Sequence, residues 1–518
     1  EAVINKLDYL EYLGITAIEL MPIQEFDGNL SWGYNPNHYF APDKAYGTPD
    51  MYKKFIDECH KRGIAVILDV VFNHATGQHP FAMLYWNKAT SKTTPENPWF
   101  NVDAPHPYNV YHDFNHEFAG TRNYFKRVLQ YWVSEYKIDG YRLDLTKGFT
   151  QNSSTESTAA NYDQSRINIL TDYYNAAKTV KSDIMFILEH FAVNSEETVL
   201  ANEGMYLWRN ANDAYSQSAM GYQTNSDFGA MNSIPRNWVG FAESHDEERN
   251  FFKAKKYGAG TMQTDSVARI NRVPLNIAFT TLIPGPKMIW QFGEMGYDIS
   301  IDSLGGRTND KPSALGAQLN YLNVPARKAA YEAASKIITM RKNYPAAFND
   351  GTAELNISYS DWNAGRRIAI KHADLNMVAL GNFSATTAAT TNPNFPKTGV
   401  WYELLTGEEL TVTNTNMTIN IPSGGVRIYT DRKVDGPKTG IENSDLLQEH
   451  TIYPTITTGL VFITSSSQND ISVYNMQGAL VKNEKNVSEI DITDSSNGVY
   501  ILKVSNNTGN SIHKVIKK

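Results

Sequence analysis

Two residues of opposite charge, Arg142 and Asp144, lie two positions apart in the sequence GYRLDLTKG, residues 140–148. The apolar residues around them predict a buried strand, and a strand directs residues i and i+2 to the same face. Burying both charges costs free energy unless they are paired or take part in chemistry. A structural ion pair and a catalytic pair are both open interpretations of this stretch alone.

Three further apolar segments end in polar residues that could do chemistry. ILDVVFNH ends in Asn73 and His74, MFILEHF contains Glu189, and VGFAESHDEER contains His245 and Asp246. Each residue alone has an ordinary structural explanation, such as a helix cap, a core histidine or a solvated loop. Their occurrence at four strand ends instead predicts one shared site at the carboxyl edge of a parallel sheet.

Carboxylates, histidines and an arginine around one cavity are typical of glycosidic bond cleavage. One carboxylate must be ionised to attack the anomeric carbon, and Arg142 is expected to lower the pKa of Asp144. A second must hold a proton for the leaving oxygen, which the apolar IMFIL before Glu189 favours. Trp32, Tyr34 and Tyr39 come after the segment ITAIELMP and could stack on sugar rings.

The elements that would position these residues alternate along the first two thirds of the chain. INKLDYLEYLG and DMYKKFIDECHKRG have the spacing of amphipathic helices that end at glycine, and an apolar strand-like segment comes after each. Repetition of helix, glycine and strand predicts parallel βα units. Over about 300 residues this favours a (β/α)₈ TIM barrel of the α/β class over an open doubly wound sheet.

The composition changes after the barrel. Residues 1–347 form the predicted catalytic barrel, residues 348–432 an antiparallel β-domain, residues 433–449 a polar linker and residues 450–518 a small β-sandwich. The helix-like segment at residue 4 has no strand before it, so the barrel is expected to be N-terminally truncated and to lack its first strand.

Bulk composition excludes several classes. The 518 residues carry a net charge of −8 with no basic stripe, which argues against a nucleic-acid partner. No apolar run is long enough to span a membrane. Cys59 is the single cysteine, so an internal disulfide framework is excluded.

Taken in order, these motifs resemble the α-amylase family of glycoside hydrolases and transglycosidases. DVVFNH, GYRLDLTKG, ILEHF and FAESHD are similar to its four signature regions, and GITAIELMP and SWGYNP to its second-strand segment and tyrosine motif. The resemblance extends from residue 1 to about residue 430. It implies a retaining enzyme that forms a covalent glycosyl-enzyme.

The resemblance also implies roles for individual residues. Asp144 would be the nucleophile, Glu189 the general acid/base and Asp246 the third carboxylate. Substrate-binding roles would fall to Tyr34, His74, Arg142, Lys147 and His245. No cofactor is implied for the chemistry. A structural calcium ion is left open, because Asn73 matches a calcium ligand of the family while Gly148 stands where many amylases have histidine.

The last module has a resemblance of its own. IYPTITTGLVFI, ISVYNMQGALV and GVYILKVSNNTGNSIHKVIKK are similar to the C-terminal sorting domain of type IX secretion. This implies the type IX machinery as a partner and an extracellular or cell-surface location. A carbohydrate-binding β-sandwich is the alternative.

The function predicted from the sequence is an α-amylase-like hydrolase that cleaves α-1,4 bonds of starch or glycogen-like α-glucans. A glucan-branching transglycosidase is the first alternative, because both activities use the same glycosyl-enzyme. A surface glucan-binding protein without catalysis is the second, and the presence of all three carboxylates argues against it.

Overall fold

A computed structural model describes residues 2–232, 235–303, 318–437, 451–464, 468–475, 478–506 and 510–518. Two compact units are present, residues 1–437 and residues 438–518. Residues 438–449 of the predicted linker lie outside the described residues. In the described part of the chain, no helix is both long and apolar enough to cross a membrane.

The first unit is built on seven parallel strands, which we number in chain order. They are β1 (Ala17–Leu20), β2 (Ala65–Val70), β3 (Gly140–Leu143), β4 (Met185–Leu188), β5 (Tyr206–Asn210), β6 (Trp238–Phe241) and β7 (Lys287–Met288). Each strand pairs with the next in this order, so sequence neighbours are also sheet neighbours. This is the topology of a (β/α) barrel, as predicted.

Helices cover the outer face of this sheet. They are Leu7–Leu13, Pro49–Lys61, Ala119–Tyr131, Gln164–Lys178, Asn194–Asn202, Asn212–Met220, Asn250–Tyr257, Ser266–Ile270, Val273–Thr281, Pro325–Asn343 and Pro345–Asn349, with a short helix at Pro80–Met83. The first of them ends as the sequence predicts, at Gly14, whose φ of +88° is left-handed. Glycine adopts this conformation without the steric cost of a Cβ atom.

The strands bury two different sets of side chains. One face carries Val66, Leu68, Leu143 and Leu188 toward the helices. On the other face, inside the barrel, a separate small cluster contains Ile67, Ile187, Trp208, Val239 and Phe241. Because both faces are covered, the strands are continuous apolar runs in the sequence.

The two outermost strands differ from the inner ones. All four residues of β1 and both residues of β7 are half-buried, whereas β3 and β6 are buried throughout. Among the described residues β1 and β7 do not pair with each other, so the sheet has seven strands with two edges.

The rest of the first unit is an antiparallel β-domain, as predicted. Its six-stranded sheet has the order Thr352–Asn356, Arg366–Lys371, Met377–Gly381, Val426–Thr430, Gly399–Glu403 and Glu409–Val412. A two-stranded sheet joins Ala389–Thr391 to Ile419–Ile421. The loops of the barrel also contain short two-stranded sheets. Gln24–Phe26 pairs with Pro36–Pro42, and His74–Ala75 pairs with His112–Asp113.

The second unit contains two small sheets around its own apolar core. One joins Thr451–Tyr453, Leu460–Thr464 and Glu489–Asp491. The other has the order Ile456–Thr457, Asn510–Lys517, Gly498–Ser505, Asn469–Asn475 and Leu480–Val487. Val461, Ile471, Val473 and Leu502 are fully buried in the core. A β-sandwich of this size was expected from the sequence.

Candidate functional site

Strand register places four charged residues on the interior face of the barrel. Asp69 on β2 lies opposite Arg142 on β3, and Arg142 lies opposite Ile187 on β4. Asp144 and Glu189 each come two positions later along their strands, and therefore face the same way. Backbone hydrogen bonds hold both: Asp144 N donates to Val70 O at 3.0 Å, and Glu189 N to Leu143 O at 3.0 Å.

The Arg142 guanidinium connects three carboxylates. Its Nη1 lies 2.9 Å from both oxygens of Asp69 and 3.1 Å from Asp144 Oδ1. Its Nη2 forms an ion pair with Glu189 Oε2 at 3.0 Å. Arg142 is fully buried, and its guanidinium also lies 4.0 Å from the Trp208 ring centroid. One buried cation therefore fixes the relative positions of the two carboxylates predicted to do the chemistry.

Burial and the neighbouring Glu189 carboxylate raise the pKa of Asp144 well above its usual value, and Arg142 opposes them. Arg142 lowers the pKa of Asp144, as expected, but burial and Glu189 outweigh it, so the net direction is the opposite of the one expected. The physical reason is that one guanidinium faces several carboxyl groups, so part of its charge is already balanced by Asp69. A proton is retained within this cluster more readily than by an isolated aspartate.

Asp246 and His245 approach the cluster from the loop after β6. The Asp246 side chain is half-exposed, and its Oδ2 lies 3.3 Å from His245 Nε2. It is close enough to Asp144 to raise the pKa of that carboxyl further. His245 is buried, and burial together with Arg142 lowers its pKa well below the usual value. His245 is consequently neutral at physiological pH and can both donate and accept a hydrogen bond.

Aromatic rings enclose His245. Its imidazole stacks on Tyr34 with ring centroids 5.0 Å apart, and Trp32 meets it edge-on at 5.6 Å. The Tyr34 hydroxyl donates to Asp69 Oδ2 at 2.6 Å, which joins the aromatic group to the charged one. One face of the Tyr34 ring is thus covered by the imidazole of His245.

His74 contacts the backbone of Tyr34. Its Nε2 is 2.7 Å from the Tyr34 carbonyl oxygen, whereas Nδ1 is buried and has no hydrogen-bond partner among the described residues. Burial lowers the pKa of His74 to about 4, so the ring is neutral. A buried polar atom without a partner is costly, and a sugar hydroxyl would satisfy it.

Lys147 projects from the loop after β3. Its Nζ lies 4.2 Å from the Tyr108 ring centroid, and burial lowers the pKa of Lys147 while nearby Glu189 raises it. The structure therefore brings together the eight residues to which the resemblance gives catalytic or substrate-binding roles, whereas Tyr39 is fully buried in the apolar core. Their individual roles stay predictions.

A buried network holds the loop that carries Lys147. Arg166 donates from Nη1 to the Lys147 carbonyl oxygen at 3.0 Å and from Nη2 to Glu196 Oε2 at 2.8 Å. His190 links the same Glu196 to Thr146, at 2.8 and 2.9 Å. Arg166 and Glu196 are buried, so this internal ion pair fixes the loops after β3 and β4 relative to each other.

Sequence reasoning missed three residues of this site. Asp69 and Trp208 contact Arg142 directly, and Glu19 on β1 faces the barrel interior beneath them. Burial, with Asp69 adding to it, raises the pKa of Glu19 from 4.5 to about 8. The signal for Asp69 and Glu19 was present, since each is a charged residue inside an apolar strand segment.

The surroundings of Asn73 test whether a calcium ion would fit. Asn73 is buried, and neither atom of its amide group has a partner in the described part of the chain. The nearby Asp113 carboxylate is bonded to Asn101 Nδ2 at 2.6 Å and lies 3.1 Å from His106 Nε2. Calcium takes six to eight oxygen ligands, so this set does not fit the ion.

Because residue 148 is glycine, the imidazole of His106 can lie close to Asn73. A Cβ atom on Gly148 would lie 2.3 Å from Asn73 Oδ1 and 2.8 Å from His106 Nε2. Glycine at this position therefore leaves the space that the His106 ring occupies. No chemical step is assigned to calcium.

Two segments of the chain match known families. Residues 1–118 match the alpha amylase catalytic domain, and residues 451–518 match a secretion system C-terminal sorting domain. The malto-oligosyltrehalose trehalohydrolase of Saccharolobus solfataricus is 36% identical over 156 residues, which are 30% of this chain and 26% of that protein. The pullulanase of Bacillus subtilis is 33% identical over 158 residues, 27% of this chain and 21% of that protein.

The chain thus spans only about a quarter of the length of these curated relatives. Solved structures match over a longer stretch. The α-amylase of Geobacillus thermoleovorans, solved with acarbose, superposes with a TM-score of 0.62 over 83% of this chain and 91% of that one, at 18% identity. That likeness establishes the fold.

The matches confirm the resemblance that the motifs indicated. The first unit has the fold of α-amylase TIM barrels, residues 1–118 are similar to the alpha amylase catalytic domain, and residues 451–518 are similar to a secretion system C-terminal sorting domain.

Proposed function

We propose that the protein is a retaining α-glucan hydrolase that cleaves α-1,4-glucosidic bonds of starch or glycogen-like chains. The observation that carries this proposal is the contact of one buried guanidinium, Arg142, with both Asp144 and Glu189 at the carboxyl ends of neighbouring barrel strands. Two carboxyl groups held side by side are what glycosidic bond cleavage requires.

In the first step Asp144 attacks the anomeric carbon of the bound glucose unit. The bond to the leaving oxygen breaks as Glu189 transfers its proton to that oxygen, and a glycosyl-enzyme ester forms on Asp144. Retention of configuration predicts that the two carboxyl groups lie about 5 Å apart when substrate is bound.

In the second step Glu189 takes a proton from water, which attacks the same carbon and releases Asp144. Asp246 is placed to hold sugar hydroxyls as positive charge develops on the ring. The neutral His74 and His245 offer hydrogen bonds to the same sugar, and Tyr34 closes the site beside them. By its resemblance to the family's lysine, Lys147 is assigned to the leaving-group side.

A glucan-branching transglycosidase would use the same first step and differ only in the acceptor of the second. The trehalohydrolase and the pullulanase, which match 30% and 27% of this chain, are named for two further activities. Product analysis separates these activities, because each leaves a distinct set of sugars.

The test is incubation of the purified protein with amylose, pullulan and a maltooligosaccharide ending in trehalose. Hydrolysis of α-1,4 bonds is expected to remove the iodine stain of amylose and to raise reducing ends in parallel. Loss of stain with few new reducing ends would indicate branching. Release of maltotriose from pullulan would indicate a pullulanase-like activity. Release of trehalose from the third substrate would indicate a trehalohydrolase-like activity.

We further propose that the protein acts outside the cell or at its surface, delivered by the type IX machinery that reads its sorting domain. The support is the match of residues 451–518 to a secretion system C-terminal sorting domain. Polymeric α-glucan outside the cell is a substrate to degrade, which favours hydrolysis over branching.

A further inference from the structure

An exposed tyrosine, Tyr111, lies at the rim of the candidate site. Its ring centroid is 5.6 Å from that of His74, and the two planes are tilted by 36°. Tyr111 is 45% exposed, although the neighbouring His74 is buried. A large aromatic surface at the edge of a polar cleft is suited to packing against the apolar face of a sugar ring.

The three residues after Tyr111 fix its position. His112–Asp113 pairs with His74–Ala75 in a two-stranded sheet, and Phe114 N donates to the Asn73 carbonyl oxygen at 3.0 Å. Backbone hydrogen bonds of the residues that follow Tyr111 therefore hold its exposed ring in position.

The Tyr111 backbone is in an unfavourable conformation. Its φ of +53° is in the left-handed region, which a residue with a Cβ atom adopts at a cost that glycine does not incur. Such a cost persists only where the surrounding structure or a function requires the side chain.

A second, independent feature indicates a ligand at the same place. The imidazole of His74 lies beside the Tyr111 ring, and its Nδ1 atom is buried and has no hydrogen-bond partner among the described residues. His74 itself is only 2% exposed. A hydroxyl-bearing ligand that stacks on Tyr111 could satisfy this atom.

We propose that Tyr111, together with Nδ1 of His74, forms a binding subsite for one glucose unit of an α-glucan chain. This inference rests on the proposed function, since it names the part of the same site that holds the substrate. Tyr111 acts in binding and takes no part in bond cleavage. Its ring contacts the substrate equally before and during reaction, so its loss affects KM and leaves kcat unchanged.

The test compares three variants with the wild type on maltoheptaose. Tyr111→Gly removes the ring and relieves the left-handed strain, so it is expected to raise KM roughly three- to tenfold while the Tm stays equal or rises. Tyr111→Phe keeps the ring, and its KM is expected within about twofold of the wild type. Tyr359→Ala, which removes a tyrosine that is 57% exposed elsewhere, serves as the matched control.

A KM for Tyr111→Gly within about twofold of wild type would overturn the inference. So would a fall in its Tm accompanied by a fall in kcat, since that pattern is what a structural role gives. Binding of maltoheptaose to Asp144→Asn, with and without Tyr111→Gly, measures the same effect without turnover. If the wild type neither binds nor cleaves any α-glucan, the proposed function fails; if it does both and Tyr111→Gly matches it, only the subsite fails.

Discussion

Nη1 of Arg142 lies 2.9 Å from both carboxylate oxygens of Asp69, in the interior of the barrel. This pair is buried and lies next to Asp144. Asp69 balances part of the Arg142 charge, and the pair therefore determines how strongly Arg142 lowers the pKa of Asp144. A change at Arg142 therefore alters the protonation of the whole carboxylate cluster.

Replacing Arg142 by lysine is expected to move the acid limb of the kcat/KM profile to higher pH. An ammonium group cannot contact three carboxylates as a planar fork does, so the pKa of Asp144, already raised by burial and Glu189, rises further. The reaction needs ionised Asp144, and activity therefore appears only at higher pH. The kcat/KM profile is measured with maltoheptaose. An acid limb at the same pH as in the wild type, or at a lower pH, would contradict the role given to Arg142.

Asp144→Asn is expected to reduce turnover by about a thousandfold or more, because an amide cannot form the glycosyl ester. Glucan binding should persist, since the aromatic rings and histidines are unchanged. Initial rates on soluble starch and affinity electrophoresis in a starch gel measure the two properties. Turnover within about tenfold of the wild type would exclude the nucleophile role.

Glu19→Gln tests the interior carboxyl of β1 through stability. The folded-state pKa of Glu19 is about 8, above the ordinary 4.5. The folded state therefore holds this proton more tightly than the unfolded chain, and the resulting stabilisation is lost as pH rises from about 4.5 toward 8. Thermal unfolding at several pH values should show the variant more stable than wild type above pH 8 and similar at about pH 4.5 or below. Equal pH dependence would show that Glu19 is not held neutral.

Breaking the ion pair between Arg166 and Glu196 should be strongly destabilising. Glu196→Gln leaves the buried guanidinium without a counter-charge, and losses of about 3–5 kcal/mol are typical for such a change. The loop that carries Lys147 also loses its anchor. Chemical denaturation is the measurement, with Glu203→Gln, an exposed residue just beyond the same helix, as the control expected within about 0.5 kcal/mol of wild type.

Removal of calcium is expected to leave the protein unchanged. His106 occupies the space beside Asn73 and Asp113, and that set of ligands does not fit the ion. Tm and starch hydrolysis should therefore be the same in EDTA and in added calcium chloride. His106→Ala should lower the Tm in both conditions alike. A fall in Tm with EDTA that calcium reverses would show that a calcium ion is bound after all.

Deleting residues 450–518 is expected to leave activity on soluble glucan within about twofold, because those residues belong to a compact unit separate from the barrel. Export should be lost instead. Specific activity of the purified truncated protein and its distribution between cells and medium are the two measurements. A large loss of folded yield would assign this unit a structural role.

Local patterns in the chain determine much of the molecule. Helical and strand periodicities depend on a few neighbouring residues, so they predicted the order of the barrel elements, the antiparallel β-domain and the terminal sandwich. Parallel strands end at one edge, so the same reasoning placed Asp144, Glu189 and Asp246 in one site. The short motifs between residues 14 and 246 then indicated the resemblance to the α-amylase family.

Other properties depend on distances between residues far apart in the sequence, and only the tertiary structure decides them. The net direction of the Asp144 pKa results from burial and from how many carboxylates share Arg142. The choice of glycine at position 148 results from the ring of His106, 42 positions earlier in the chain. Tyr111 carries no local signal at all: its place beside His74 results from a two-residue strand pairing that no periodicity predicts, because its energy comes from contacts made only in the folded protein.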